Sequence, residues 1–295
     1  MSILIDGETR VCVMGITGRI GRVQTRYMQE AGTRIVSGVT PGKGGQQVEG
    51  VPVFHTVAAA QAESPADAAL LFVPPAAAEE AGTEAIAAGF PLVVLVTEGV
   101  PVHAAMRLRS RARTTGVRLL GPTTPGIIAP GRCKIGIMPA SLFGRGPVGV
   151  VSRSGTLSYE IGGALAAAGL GQSTVVGMGA DPVVGTDLTE LLDLFEADPE
   201  TETVVVIGEV GGDQEERAAR NLAGRGHKPV VAYIAGRSVP TGVRMGHAGA
   251  IVQGEAGSAA GKAEAFAAAG VPTATGPAEV VDLIRRAIAQ RQGRT

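Results

Sequence analysis

Short runs of four to six apolar residues recur along the chain, and the longer segments between them have the spacing of amphipathic helices. In the first half this pattern predicts strands over 11–14, 35–39, 68–73, 92–96 and 117–120. It predicts helices over 21–31, 75–88 and 101–115. Strands that alternate with helices form parallel βαβ units whose sheet is covered on both faces.

The alternation stops over 121–146, which holds four prolines and several glycines and is predicted to connect two domains. It resumes with strands predicted over 148–152, 174–177, 203–207 and 229–234. The helices of this half are predicted over 156–168, 186–196, 214–224, 258–269 and 278–290. Residues 236–257 have no clear period, and a long glycine-rich loop in a compact domain is usually functional. The pattern therefore predicts an α/β protein with two doubly wound parallel sheets.

Composition narrows the function classes. A chain of 295 residues with 45% hydrophobic and 18% charged residues is expected to fold into two domains. Its formal net charge of −1 and its dispersed basic residues favour neither a nucleic acid nor a membrane as partner. Two cysteines, Cys12 and Cys133, cannot build a disulfide framework, and no Cys and His pairing has zinc spacing. The first residues lack the pattern of a secretion signal, so a cytoplasmic location is expected.

A glycine-rich turn follows the first predicted strand. Gly15, Gly18 and Gly21 have the position of a Rossmann phosphate turn, although the spacing is GxxGxxG and not GxGxxG. Glycines let the backbone approach a ligand, and the helix that follows offers N–H groups to an anion. A tight turn without a ligand is the alternative.

The segment after the second predicted strand bears on the choice of cofactor. A site for NAD would have an acidic residue there, and the run 37–45 has none. Lys43 suits a phosphate on the ribose, as in coenzyme A or NADP, unless it is only a solvated surface residue. Glu98 follows a later strand at the edge where ligands bind, and it either accepts hydrogen bonds from a ligand or caps the helix before Pro101.

A second strand-to-helix junction carries Ser154, Gly155 and Thr156, which either cradle an anion or simply cap the helix. Glu209 follows the strand over 203–207 among glycines. It can accept the Nδ1 proton of an imidazole, or it is a solvent-facing acid at the start of the next helix.

His247 lies in the aperiodic loop, between Gly246 and Ala248, so little shields its ring. A neutral imidazole is a competent nucleophile at neutral pH and can carry a phosphoryl group as a covalent intermediate. A solvated loop histidine is the alternative from spacing alone. The other histidines, His55, His103 and His227, have no such setting and are expected to be ordinary surface residues.

Several of these motifs together resemble the α subunit of succinyl-CoA synthetase over nearly the whole chain. The segments that carry the resemblance are 2–6, 39–45, 133–137, 152–157, 207–212 and 244–250. The resemblance implies a Rossmann-like CoA-binding domain over 1–125, a connector over 126–147 and a flavodoxin-like ligase domain over 148–295 that carries the phosphohistidine loop.

The resemblance also implies roles for individual residues. His247 would be phosphorylated while Glu209 pairs with its imidazole, and Tyr159 would border the carboxylic acid substrate. The CoA site would comprise Thr17, Gly18, Arg19, Ile20, Lys43, Val96, Thr97 and Glu98. The implied activity is that of an acid–CoA ligase, which forms acyl-CoA from a carboxylic acid, CoA and ATP or GTP. The resemblance also implies a β subunit whose ATP-grasp fold binds the nucleotide with Mg²⁺. The absence of a P-loop motif from this chain fits such a dependence on a partner.

Some positions depart from the family pattern. The family usually has Gly-Pro-Asn-Cys-Pro-Gly where this chain has Thr123 and Thr124 between the same glycines and prolines. These changes lie where acyl group and thiol meet, so a ligase for malate, citrate or another acid is an alternative. Two further alternatives are a CoA-binding regulatory or scaffold subunit without catalysis and an NAD(P) dehydrogenase, which only the first glycine turn favours.

Overall fold

The computed structural model describes residues 2–224, 228–237, 246–247, 249–250 and 257–292. The chain forms two compact units. The N-terminal unit comprises Leu4–Ala140 with Val183–Thr186, and the C-terminal unit comprises Ser141–Pro182 with the chain from Asp187 onward. Among the described residues no helix is both long and apolar enough to cross a membrane.

The N-terminal unit is built on a parallel sheet. Its strands are β1 (Arg10–Met14), β2 (Arg34–Val39), β3 (Gln47–Val48), β4 (Val51–Phe54), β5 (Ala68–Leu71), β6 (Leu92–Leu95) and β7 (Arg118–Leu120). They run in the order β3-β4-β2-β1-β5-β6-β7, in which only the short β3 is antiparallel to its neighbour. The order reverses at β1, which is the Rossmann arrangement.

Four helices connect these strands, namely α1 (Arg19–Glu30), α2 (Val57–Glu63), α3 (Ala78–Ala87) and α4 (Val102–Thr115). Strands β5 and β6 are buried along their whole length, which explains why they read as continuous apolar runs. The stretch predicted as a connector contains a hairpin of two antiparallel strands, β8 (Gly126–Ala129) and β9 (Cys133–Gly136).

The C-terminal unit has a second parallel sheet. Its strands β10 (Arg145–Ser152), β11 (Gln172–Gly177), β12 (Thr203–Glu209), β13 (Val230–Ala235) and β14 (Thr273–Ala274) follow one another in the order β14-β13-β12-β10-β11. This is the flavodoxin order, with its reversal at β10. The helices are α5 (Gly155–Ala167), α6 (Leu188–Ala197), α7 (Gln214–Leu222), α8 (Ala259–Ala268) and α9 (Pro277–Gln292). The predicted α/β class is therefore confirmed. The bounds given for the domains stay a prediction.

The turn after β7 places Thr123 at a φ of 56°, in the left-handed region. A β-branched side chain is strained there, whereas asparagine, which the family that this chain resembles usually has at this position, tolerates it. We expect Thr123→Asn to raise the free energy of unfolding by about 1 kcal/mol in urea denaturation. Thr124→Val is the matched control. In wild type the Thr124 hydroxyl accepts the Gly126 N–H at 2.9 Å, so removal of this hydroxyl should destabilise the protein. If Thr123→Asn were no more stable than wild type, the claim that the backbone at Thr123 is strained would be wrong.

Lys134 on β9 is 2% exposed, and its Nζ lies 5.8 Å from the centre of the Tyr27 ring. Burial lowers the pKa of Lys134 from 10.5 to about 8. Because the folded state binds this proton more weakly than the unfolded state, stability should rise with pH between those two values.

We therefore expect the free energy of unfolding of wild type, relative to that of Lys134→Met, to increase by about 1–3 kcal/mol between pH 7.5 and pH 10. Urea denaturation of both proteins at the two pH values measures the gain. The other titrating groups are common to both proteins and cancel in the comparison. Parallel pH profiles would show that the Lys134 ammonium is not desolvated.

Candidate active site

Two neighbouring strands of the C-terminal unit end at one edge of the sheet. Ser152 at the end of β10 is in register with Ile207 of β12, and β12 continues to Glu209. Because the strands are parallel, the Arg153–Ser154 turn and the Glu209 side chain lie at the carboxyl edge, beside the point where the strand order reverses. Crevices at such points are where open α/β sheets bind ligands.

Helix α5 begins at this edge. The Ser154 hydroxyl caps it by accepting the Leu157 N–H at 3.3 Å. Gly155 and Thr156 lie in the first helical turn. Their N–H groups have no acceptor within the helix and form the positive end of the helix dipole. Capping and anion binding are thus compatible here, because the cap uses one N–H and the turn offers others.

The described part of the aperiodic loop brings His247 to this edge. Its Nδ1 lies 2.8 Å from Oε2 of Glu209. The histidine side chain is 33% exposed, whereas the Glu209 side chain is 3% exposed. A buried carboxylate therefore holds a partly exposed imidazole, and the ring is not enclosed in apolar packing.

Gly249 shows where the loop packs against the turn that precedes α5. Its N–H donates to the Ala180 carbonyl at 3.3 Å. A Cβ at this position would lie 2.8 Å from that carbonyl oxygen and 3.2 Å from Nη2 of Arg153. The backbone two residues after His247 thus lies against the side chain that directly precedes the Ser154 cap.

Behind Glu209 lies a second layer of buried charge. Nη1 of Arg153 donates to the carbonyls of Glu209 (3.1 Å) and Gly211 (2.8 Å) and to Oε1 of Glu215 (3.0 Å). Nη2 of Arg153 lies 3.5 Å from Oε1 of Glu209. The same Glu215 oxygen accepts the Glu209 N–H at 3.2 Å. One guanidinium thus joins both carboxylates to the backbone around Val210.

The layer ends at Lys262 on α8, whose side chain is fully buried. Its ammonium group pairs with Glu215 and donates to Glu216 and to the Gly212 carbonyl, each at 2.9 Å. Burial alone would raise the pKa of Glu215, but the charges of Arg153 and Lys262 outweigh it and lower that pKa. Burial would likewise lower the pKa of Arg153, and Glu215 and Glu209 reverse that effect. Arg153 and Glu215 are therefore both charged in the folded protein at neutral pH.

Tyr159 lies one turn into α5 and is half-buried. Its ring meets Phe143 edge-on, with 6.4 Å between the ring centres. Burial raises the pKa of its phenol, which keeps the hydroxyl protonated as a hydrogen-bond donor.

The glycine turn of the N-terminal unit is shaped by close backbone approach. A Cβ on Gly15, whose φ is 79°, would lie 2.2 Å from the Phe72 carbonyl oxygen, and one on Gly21 would lie 2.5 Å from the Gly15 oxygen. Gly18 forms the N-cap of α1 without a side-chain hydrogen bond. The turn therefore presents backbone at the start of a helix, as a phosphate site requires.

Neighbouring strand ends bring further predicted residues to the same edge of the sheet. The Gly15 N–H donates to the Val39 carbonyl at the end of β2, and the hydroxyls of Thr17 and Thr40 lie 3.2 Å apart. Lys43 is exposed three residues later. The His55 ring, expected to be an ordinary surface residue, lies against Gly44, whose N–H is 3.4 Å from its Nδ1.

The remaining predicted CoA residues are at two places. Arg19 and Ile20 are exposed at the start of α1. Val96, Thr97 and Glu98 follow β6, and the Thr97 hydroxyl donates to the Val73 carbonyl at 2.7 Å. Glu98 is exposed and does not cap α4, which has Pro101 as its N-cap and no side-chain cap.

Three residues around His247 were missed from sequence: Arg153, Glu215 and Lys262. Helical spacing carried a signal for two of them. Glu215 shares the buried face of α7 with Ala218, Ala219 and Leu222, and Lys262 shares that of α8 with Ala259 and Phe266. Of the other histidines, His227 lies outside the described residues, as does most of the loop 236–257.

Family models cover both units. Residues 6–99 match the model described as a CoA binding domain, and residues 151–272 match the model described as CoA-ligase. The first match includes the glycine turn, Lys43 and the strand end at Glu98. The second includes His247, Glu209, Tyr159, the start of α5 and the buried charges Arg153, Glu215 and Lys262.

Similar folds occur in larger chains of known structure. ATP citrate lyase of Methanosaeta concilii in complex with (3S)-citryl-CoA superposes with a TM-score of 0.90 over 99% of this chain at 24% identity. This chain spans about half of that one, 52% of its length. At this identity the likeness shows the fold alone.

Curated relatives are similar over nearly their whole length. The succinate–CoA ligase [ADP-forming] subunit alpha 2 of Archaeoglobus fulgidus is 50% identical over 96% of this chain and 99% of its own. The corresponding α subunit of Methanothermobacter thermautotrophicus is 50% identical over 98% of both chains, and that of Aquifex aeolicus is 47% identical over 97% of this chain and 94% of its own. With both family models matched in order, this chain belongs to the family of succinate–CoA ligase α subunits.

Proposed function

We propose that this chain is the α subunit of an acid–CoA ligase that joins a carboxylic acid to CoA through a phosphohistidine at His247. The observation that carries the proposal is the 2.8 Å contact between His247 Nδ1 and the buried carboxylate of Glu209, at the edge of the sheet where α5 begins. The ring is held and partly exposed at the same edge of the sheet as a helix N-terminus, which favours negative charge.

The contact sets the protonation of the imidazole. With Glu209 as acceptor, the proton lies on Nδ1 and the lone pair on Nε2. Nε2 then attacks the terminal phosphorus of the nucleotide, forming the N–P bond as the bond to the departing diphosphate breaks. The ring becomes positively charged in this step, and the Glu209 carboxylate stabilises that charge. Gly155 and Thr156 offer N–H groups to the phosphoryl oxygens.

The later steps consume the phosphohistidine. A carboxylate oxygen of the acid attacks the phosphorus, which frees His247 and gives an acyl phosphate. The CoA thiolate then attacks the acyl carbon, so that acyl-CoA and inorganic phosphate leave. Tyr159, whose phenol stays protonated, is the proposed neighbour of the acid.

For CoA we propose the carboxyl edge of the N-terminal sheet. The backbone of Thr17 to Ile20 would hold the pyrophosphate, Lys43 the ribose phosphate, and the segment from Val96 to Glu98 would complete the site. The close backbone packing at Gly15 and Gly21 supports this, because it leaves the start of α1 open to an anion.

The names of the relatives support a proposal for the nucleotide and for the partner subunit. Their names specify ADP formation and an α subunit, which supports ATP as phosphoryl donor and an ATP-grasp β subunit that binds it with Mg²⁺. Succinate is the acid that these names indicate. We propose a cytoplasmic location for the complex.

Phosphorylation of His247 is tested by incubating the complex of this chain and its β subunit with γ-labelled ATP. We expect one acid-labile, base-stable label on this chain, and its loss in His247→Asn by about 100-fold or more, since no other group replaces a covalent nucleophile. His103→Asn, at an exposed position of α4, is the matched control and should label like wild type.

Other outcomes would support an alternative function or an alternative nucleophile. A wild-type complex that binds CoA but takes up no label would indicate a regulatory or scaffold subunit. Label that persists in His247→Asn would assign the nucleophile to another residue. A panel of acids, with succinate, malate and citrate, identifies the acid from the rate of acyl-CoA formation.

The CoA site is tested by titration calorimetry and thermal shift. We expect Lys43→Gln to weaken CoA binding about 5- to 30-fold while leaving dephospho-CoA unchanged, because Lys43 is proposed to pair with the ribose phosphate that dephospho-CoA lacks. Arg111→Gln on the exposed face of α4 is the control and should bind both ligands like wild type. Equal losses for CoA and dephospho-CoA would contradict the assignment, and stabilisation by NAD(H) or NADP(H) instead of CoA would favour a dehydrogenase.

A further inference from the structure

Glu209 is a buried acid whose surroundings have to keep it charged and aimed at His247. Its Oε2 contacts Nδ1 of the imidazole, while Oε1 is buried and makes no hydrogen bond within the described part of the chain. Arg153 places a charge close to Oε1, with its Nη2 3.5 Å away. A buried carboxylate without a hydrogen bond on one oxygen depends strongly on such a charge.

A second acid lies on the other side. Oε1 of Glu215 accepts the Glu209 backbone N–H at 3.2 Å, so two buried carboxyl groups occupy the same small region. Two like charges within one buried region disfavour each other. Arg153 lies between them and contacts both, with Glu215 at 3.0 Å.

The same guanidinium also fixes the backbone from which Glu209 projects. Its Nη1 donates to the carbonyl of Glu209 and to that of Gly211, one on each side of Val210. The absence of a side chain at Gly249 lets the histidine loop lie against Nη2. One planar side chain thus contacts the carboxylate, the turn that carries it and the loop that carries the imidazole.

We propose that Arg153 is a positioning residue for the phosphohistidine reaction: it keeps Glu209 ionised and directed at Nδ1, and thereby sets the tautomer of His247. Arg153 does not touch the reacting nitrogen and acts through Glu209. This inference rests on the proposed function for its kinetic consequence, but not for its effect on the imidazole.

Lys262 provides the matched control. Its ammonium group is as deeply buried as Arg153 and neutralises the far side of Glu215, together with Glu216. In the described residues it has no contact with the Glu209 side chain. Removing either cation should lower the melting temperature by several degrees, because each leaves buried carboxylates without a partner. Removal of Arg153 should change His247 far more than removal of Lys262, because Arg153 contacts the Glu209 carboxylate directly.

The experiment combines two readouts on the full chain. Nitrogen NMR of histidine-labelled protein, with the signal assigned by His247→Asn, reports which ring nitrogen of His247 carries the proton. The rate of label transfer from γ-labelled ATP in the complex with the β subunit reports the reaction. The variants are Arg153→Gln, Arg153→Lys, Lys262→Gln and, as reference, Glu209→Gln.

We expect Arg153→Gln to shift His247 from the Nδ1–H toward the Nε2–H tautomer and to slow labelling about 100-fold, close to Glu209→Gln. Arg153→Lys keeps the charge but loses the planar fork, so it should recover about 10-fold of that rate. Lys262→Gln removes a cation that pairs with Glu215, so it should shift the tautomer less and slow labelling at least tenfold less than Arg153→Gln, despite a similar loss of melting temperature.

Three results would overturn the inference. The first is equal change in Arg153→Gln and Lys262→Gln, which would mean general destabilisation. The second is a wild-type tautomer in Arg153→Gln. The third applies if Arg153→Gln does not fold. In that case, a soluble Arg153→Lys variant with the tautomer and the labelling rate of wild type would overturn the inference. If even wild type takes up no label, the proposed function fails, while the tautomer comparison still decides the role of Arg153.

Discussion

A buried carboxylate beside a partly exposed imidazole is the contact on which the C-terminal unit is organised. Glu209 is inaccessible to solvent, so its charge has to be compensated by protein groups, and each compensating group is itself buried and needs partners. The result is a chain of contacts that runs from His247 through Glu209, Arg153 and Glu215 to Lys262. It joins the ends of two strands to the buried faces of two helices, α7 and α8.

This arrangement separates two tasks that a single residue could not perform. The imidazole needs to be accessible to react with a phosphoryl group, whereas an acid that orients it works best away from water, where its charge is not screened. With 33% exposure for the histidine side chain and 3% for the glutamate, the two partners of one hydrogen bond meet these opposite needs. In the N-terminal unit the proposed phosphate site consists of backbone at a glycine turn, which is shaped by close packing at Gly15 and Gly21 instead of by buried charge.

The sequence predicted the parallel strands well because burial on both faces makes them continuous apolar runs, as in β5, β6 and β12. It did not predict α2, β3, β4, β8, β9 or β14, which are short and lack a full period of either type. The site was predicted as far as its exposed and glycine-flanked members, such as His247. Its supporting charges were not, since Glu215 and Glu216 read locally as acids in the first turn of a helix, a common surface feature. Their depth becomes visible only when Glu215 is seen to fall on the same helical face as Ala218 and Leu222, with an opposite charge on the buried face of another helix.

The two threonines that depart from the family pattern have different physical settings. Thr124 is 3% exposed and its hydroxyl accepts the Gly126 N–H, so it stabilises its own turn. Thr123 is less buried, has a left-handed backbone, and donates its N–H to the Thr97 carbonyl at the strand end proposed for CoA. Backbone strain tends to persist where function requires it. The departure from the family pattern therefore places backbone strain at Thr123, whereas at Thr124 it adds a side-chain hydrogen bond within the turn.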